Sequence, residues 1–185
     1  MAKVKGSTLT SRLLWVRLGH GEAGMARLLT ACTPALRATV EAGVRKADWY
    51  PFELFVELCE AIDRTFGAGD GALFRPLARH GAEANLTTIY RLFYKVGTVH
   101  WILGRAARLF GAHYDSGRLE VRATGMRSAD LELVDVATPS CVHCEAVAGW
   151  AERSAELSGG SACSATRIAC RREGADRCTL RTRWE

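Results

Sequence analysis

The sequence predicts an α+β fold in which a helical first two thirds packs on a mostly antiparallel four-stranded sheet. Three observations carry that expectation. Apolar residues recur at helical spacing as far as Phe110, the period switches to alternation after Gly117, and one helical stripe separates two alternating pairs near the C-terminus. With 185 residues, 48% of them apolar, the chain can fill one core. We therefore expect a single domain, 1–116 mainly helical and 117–185 hairpin, helix, hairpin.

The first segments, "SRLLWVRL", "GMARLLTAC" and "PALRATVEAG", read as short helices separated by Gly21 and Pro34. "PFELFVELCEAIDRTFGAG" is a core helix. Pro51 suits its first turn, Phe52, Phe55, Val56, Cys59, Ile62 and Phe66 share a stripe, and Gly67 and Gly69 end it. Two further helices follow and meet near Gly97: one with Ile89, Leu92, Phe93 and Val96 at helical spacing, the next with Trp101, Leu103, Ala107 and Phe110.

"RLEVRAT" then alternates Leu119, Val121 and Ala123 against charged neighbours, and "ADLELVDVA" alternates Leu131 and Leu133, so "GMRSA" closes a hairpin. The parity change at Val134 and Val136 suggests a bulge or two-sided burial. "TPSCVHCEAVAGWAERSAELSGG" is a helix with Thr138 as N-cap, Pro139 in the first turn and Gly159-Gly160 as terminator. "ACSATRIAC" and "RCTLRTRW" form the last two strands. Cys178, Leu180, Thr182 and Trp184 should face the core, matched by Thr166, Ile168 and Cys170. A turn centred on Gly174 pairs Cys170 with Cys178 and Ile168 with Leu180, which makes the two thiols cross-strand neighbours.

The seven cysteines are an odd number, five of them after residue 140. The N-terminus lacks a cleavable export signal and no run is apolar enough to span a membrane, so we expect a cytoplasmic protein whose thiols stay free unless a metal or catalysis uses them. Cys141 and Cys144 share the stripe of their helix with Val147, Ala148, Ala151 and Ala155. If that helix start packs over Cys170 and Cys178, four thiols converge on a tetrahedral site. The net charge of +5 is spread among acids, and neither an arginine-rich helix nor zinc-finger spacing is present, so nucleic acid is not expected as a partner.

"CEAVAGWAERSAELSGG" followed by "RIACRREGADRCTLRTRW" resembles the C-terminal signature of the 4-vinyl-reductase (4VR) domain family. More narrowly, "DWYPFELFVELCEAID", "IYRLFYKVG", "HYDSGRLEV" and "ELSGG" are similar to a mainly myxobacterial protein group that carries the domain. The resemblance implies an α+β fold shared with TRAPP tethering subunits and a domain that binds small molecules or partners, often as a homodimer. It also implies a zinc held by three Cys and one Glu. Cys144, Cys170 and Cys178 keep the family spacing, while Arg167 stands where the Glu belongs. Either Cys141 replaces that ligand and zinc binds, or the thiols form a metal-free cluster. No organic cofactor is expected.

Three functions compete on the sequence. A sensor would bind a small hydrophobic ligand between helices, with Phe55, Tyr90, Phe93, His100 and Trp101 as candidate walls, and signal through a protein partner. Ordinary core packing explains the same stripe. An adaptor would dimerise without a diffusible ligand. An enzyme would use "CVHC" as a redox pair, but its strand-first context is missing, and no nucleophile triad, phosphate-binding glycine loop or paired-carboxylate pattern occurs. The expected function is a non-enzymatic binding or sensing domain.

Overall fold

A computed structural model of the chain describes residues 1–84 and 97–185. The helix expected around Ile89, Leu92 and Val96, with the candidate walls Tyr90 and Phe93, lies outside the described residues.

The first helix, α1 (Gly6–Ala31), merges two of the short helices predicted, because Gly21 takes φ 63° and bends the axis without ending it. Helix α2 (Pro34–Glu41) begins with Pro34 behind Thr33, whose hydroxyl accepts from the Leu36 amide. Helix α3 (Phe52–Phe66) starts after Pro51 and stops before Gly67, burying Phe52, Phe55, Leu58, Cys59 and Ile62 on one face. Helix α4 (Phe74–Ala84) follows.

Two three-residue strands, β1 (Lys3–Lys5) and β2 (Trp49–Pro51), pair antiparallel. They are too short to show a period in sequence. The free side of β1 reaches the 113–115 segment: the Lys5 amide donates to the His113 carbonyl at 2.8 Å and the Asp115 amide to the Lys3 carbonyl at 3.1 Å. The N-terminus thereby ties the helical half to the sheet half.

Helix α5 (Val99–Leu109) is capped by Thr98, which accepts from the Trp101 amide. Then come β3 (Arg118–Gly125), β4 (Ser128–Val134), helix α6 (Cys141–Leu157), β5 (Ser164–Ala169) and β6 (Cys178–Arg183). The four strands form an antiparallel sheet of order β3-β4-β6-β5. The α+β architecture expected from the sequence is present. Helix α6 starts two residues later than predicted, with Ser140 rather than Thr138 at the N-cap position. The parity change after β4 is not a bulge; the strand ends at Val134 and Asp135 turns the chain at φ 55°.

The last hairpin differs from its predicted register. Arg167, not Ile168, lies opposite Leu180, and the ladder shifts between Arg167 and Ala169. Ala165 is the buried residue of β5 while Ile168 is 48% exposed. A bulge on the edge strand carries the extra residue outward, which restores Cys170 to the core side beside Cys178.

Two apolar cores result. One joins α1, α3 and α4 with Val142 and Ala146 of α6. The other joins the inner sheet face and α5 with Cys144, Val147, Ala148, Ala151 and Ala155 of the same helix. Helix α6 is the wall between them, and Tyr114 packs against both. Gly149 lets α4 approach α6: a Cβ there would stand 2.4 Å from the Arg75 carbonyl oxygen.

Candidate functional site

At the boundary of the two cores, α6 presents His143 to a box of aromatic rings. Its imidazole lies 4.4 Å from Tyr114, 5.3 Å from Phe52 and 5.7 Å from Phe110, ring centre to ring centre. The residue is buried, and its Nε2 has no hydrogen-bond partner among the described residues. Burial pushes its pKa down to about 4, so the ring is neutral at pH 7. Burial also pushes the Tyr114 hydroxyl up to about 12, against the pull of Arg12. Lys3, Phe52, Tyr114, Ser116, Val136 and His143 line a cleft with about 10 Å³ of room, at most one water.

Arg12 lies behind this box. It is buried, its guanidinium stands 5.2 Å from the Phe55 ring, and it donates to the Ser11 hydroxyl at 3.0 Å and the Thr8 carbonyl at 3.4 Å. Its Nε finds no partner among the described residues. A buried cation with so few acceptors costs free energy, which marks it as a second unusual polar group in the helical core.

One residue along α6, turned by about 100°, Cys144 meets Cys170 and Cys178. The three sulfurs lie within 4.8 Å of one another, with 3.9 Å between Cys170 and Cys178. The Arg171 amide donates to the Cys178 sulfur at 3.4 Å. Burial first, then the neighbouring Cys178 and Cys170, holds the Cys144 thiol well above its ordinary pKa, with Arg167 opposing. Cys141 does not join them. Its sulfur accepts from Arg167 Nη1 at 3.6 Å, and the other end of that guanidinium pairs with Glu173 at 3.0 Å. Cys163 also stays apart, its thiol donating to the Ser161 carbonyl at 3.7 Å.

The helix-lined pocket expected from the sequence is not assembled by the described residues. Phe55 is a core residue behind Phe52 and Tyr114. His100 points to the sheet, its Nε2 3.2 Å from the Ser128 carbonyl and its ring edge-on to Trp184 at 4.7 Å. Trp101 is 43% exposed, with the Arg105 guanidinium 5.2 Å from its ring. The residues that do meet at the seam are His143, Tyr114, Phe110 and Phe52, of which the sequence marks Phe52 and Phe110 only as core-stripe positions. One signal pointed to them: Val142, Ala146 and Gly149 give α6 a second small-apolar face, and His143 borders it.

No family model and no curated protein matches the sequence. Solved structures do match. An H-NOX protein from S. oneidensis in its Fe(II)NO ligation state is 12% identical, covers 98% of this chain and 99% of its own, and superposes with a TM-score of 0.72. An oxygen-binding H-NOX domain related to soluble guanylate cyclases is 10% identical over 98% and 95%, with a TM-score of 0.67. An Fe(II) unliganded H-NOX protein variant from K. algicida is 13% identical over 98% and 96%, with a TM-score of 0.67. At such identity the likeness establishes the fold.

These neighbours overturn the resemblance to 4VR domains and TRAPP subunits, which rested on short motifs around small and apolar residues that many packed helices share. They also overturn the cofactor expectation. Structures of this family concern heme, an organic cofactor, and nothing in them supports zinc. The geometry agrees on zinc, since structural zinc takes four donors and only three of the expected thiols converge.

Heme itself can be tested against the seam. A neutral imidazole with an unpaired Nε2 suits an axial ligand. Room does not: the cleft beside it, lined by Lys3, Phe52, Tyr114, Ser116, Val136 and His143 among others, offers about 10 Å³, against the several hundred Å³ of an organic ligand site. As packed, the described residues do not fit the group. The chain has the H-NOX fold.

Proposed function

We propose that this chain is a non-catalytic sensing domain on an H-NOX fold. A small molecule enters the seam, pairs with His143, and displaces the rings that fill it. The printed descriptions of the structural neighbours support the reading: they concern nitric oxide or oxygen held in the same fold. The observation that carries it in this chain is His143 Nε2, a buried polar atom left without a partner at the wall shared by both cores. Native proteins pair such atoms unless a ligand or water takes them.

Helix α6 provides the output. It is tied to α4 by Arg75 with Glu145 and Glu152, and by Arg79 with Glu152 and Glu156, while Glu152 also accepts from the Ala165 amide of β5 at 2.9 Å. A ligand that moves His143 moves this ladder, and a protein partner reads the change. Native mass spectrometry of the freshly purified full chain, before and after addition of hemin, is the test. A small molecule retained by the wild type and lost from His143→Leu is the expected result. Retention by the variant sinks the reading.

A second reading is favoured by the side-chain-filled seam: an adaptor that binds protein partners, itself included, with no diffusible ligand. An empty mass for the wild type under all conditions selects it.

A further inference from the structure

We propose that Arg12 and His80 form a buried site for a monovalent anion of halide size, set in the helical core between α1, α3 and α4. The site goes beyond the seam: neither residue lines the cleft beside His143, and His143 takes no part in it.

Arg12 is a buried cation without a counter-ion. It is 5% exposed, and a guanidinium keeps its proton at any pH a folded protein meets. No Asp or Glu among the described residues pairs with it, and residues 85–96 contain neither type. The titratable neighbours that its charge reaches are neutral at pH 7. Burial holds the Cys59 thiol above its ordinary pKa and pushes the Tyr114 hydroxyl up to about 12, so neither supplies an anion. Burial, with Arg12 adding to it, keeps His80 and His113 below theirs, Glu83 opposing at His80. A charge left in this state is strongly unfavourable, and an ion taken up from solution relieves it.

The unpartnered nitrogens mark the place. The hydrogen bonds of the guanidinium go to its own helix, from Nη1 to the Ser11 hydroxyl at 3.0 Å and to the Thr8 carbonyl at 3.4 Å, with the Phe55 ring 5.2 Å away. Nε is buried and bonds to nothing among the described residues, and His80 Nε2 is in the same condition. Gly81, the residue after His80, brings α4 against the guanidinium: a Cβ there would stand 2.7 Å from Nη1 and 3.2 Å from the Ser11 hydroxyl. Two orphaned nitrogens thus lie on helices that touch. An anion there accepts from Arg12 Nε–H and selects the imidazole tautomer with a proton on Nε2 of His80.

Charge and space choose the ion. One negative charge balances Arg12, while a dianion would leave a buried excess of the other sign. The close approach at Gly81 favours a single atom over a flat or tetrahedral oxyanion. Leaving water costs a large, weakly hydrated halide least, so bromide should bind better than chloride and fluoride worst. His80 is only half-buried and gives the ion its way in.

The test uses the full chain in sodium bromide, chloride, fluoride or sulfate at equal ionic strength, with crystals grown in bromide and measured at the bromine absorption edge. An anomalous peak in contact with Arg12 Nε and His80 Nε2 is expected. The urea midpoint of the wild type relative to Arg12→Met should rise with bromide and chloride concentration but not with fluoride or sulfate, since the comparison cancels general salt effects. His80→Phe should weaken the halide dependence by about tenfold or more, and His143→Leu should keep it, which separates this site from the seam. Circular dichroism of each variant distinguishes a lost site from a lost fold, and the bromide peak of the wild type needs no variant. Bromide peaks only elsewhere, a midpoint difference that halide does not change, or one that fluoride or sulfate raises equally overturns the proposal.

Discussion

His143 concentrates most of the unusual physics of this chain. Its Nε2 forfeits a hydrogen bond, and an unsatisfied buried polar group costs about 1 to 3 kcal/mol. Replacing it with leucine should raise the stability of the ligand-free protein by about that amount, read as a higher urea midpoint at unchanged slope. Its titration has a defined sign. The folded pKa of about 4 lies below the ordinary 6.5, so the unfolded chain takes up a proton first as pH falls. The stability associated with the neutral ring is complete above 6.5 and is lost between 6.5 and about 4, by about 3 kcal/mol in all. His80 and His113 are shifted the same way by burial and add to the slope. Urea melts of the wild type and His143→Leu at pH 7, 5.5 and 4.5 should diverge as pH falls; parallel curves would show that His143 is not buried and neutral.

At the scale of elements, α6 is the member on which the others depend. It is apolar on two sides, and its remaining polar residues meet α4 as a ladder of carboxylates and arginines. Glu152 is the centre of that ladder, pairing with Arg75 and Arg79 and accepting the Ala165 amide. Glu152→Ala leaves the buried Ala165 amide without its acceptor and takes one carboxylate each from Arg75, which keeps Glu145, and Arg79, which keeps Glu156; together this should cost about 3 kcal/mol. In a chain of this size that corresponds to a melting temperature lower by roughly 6 to 12 °C. Gly149→Ala tests the close approach of α4 directly. The added methyl meets the Arg75 backbone, so destabilisation by at least about 1 kcal/mol is expected where alanine in an open helix would stabilise. Sheet elements follow simpler rules: Leu119 and Val121 oppose Leu133 and Leu131, as alternation predicts.

For the molecule as a whole, one helix shared by two cores implies one cooperative unit. Trp15 packs on the helical core and Trp184 is buried in the sheet core. Urea unfolding followed by tryptophan fluorescence and by far-ultraviolet circular dichroism should give coincident transitions. Separate midpoints would mean that α6 belongs to one core only. No helix among the described residues is long and apolar enough to cross a membrane.

Elements with a strong local period were legible in the sequence: α3 from its stripe and its Pro51 and Gly67 ends, β3, β4 and β6 from alternation, and the α+β order from the change of period. The neighbouring thiols Cys170 and Cys178 were legible too, though through a register that β5 does not keep. Local patterns could not show the pairing of three-residue strands, the bulge that turns Ile168 outward, or which of four cysteines converge. Those depend on contacts between residues far apart in the chain, where a one-residue shift reverses a side chain at no cost to local preference. Nor could they show that α6 serves two cores. Helical spacing marks which residues share a face, but only tertiary packing decides that His143 meets aromatic rings on one side while Cys144 meets thiols on the other.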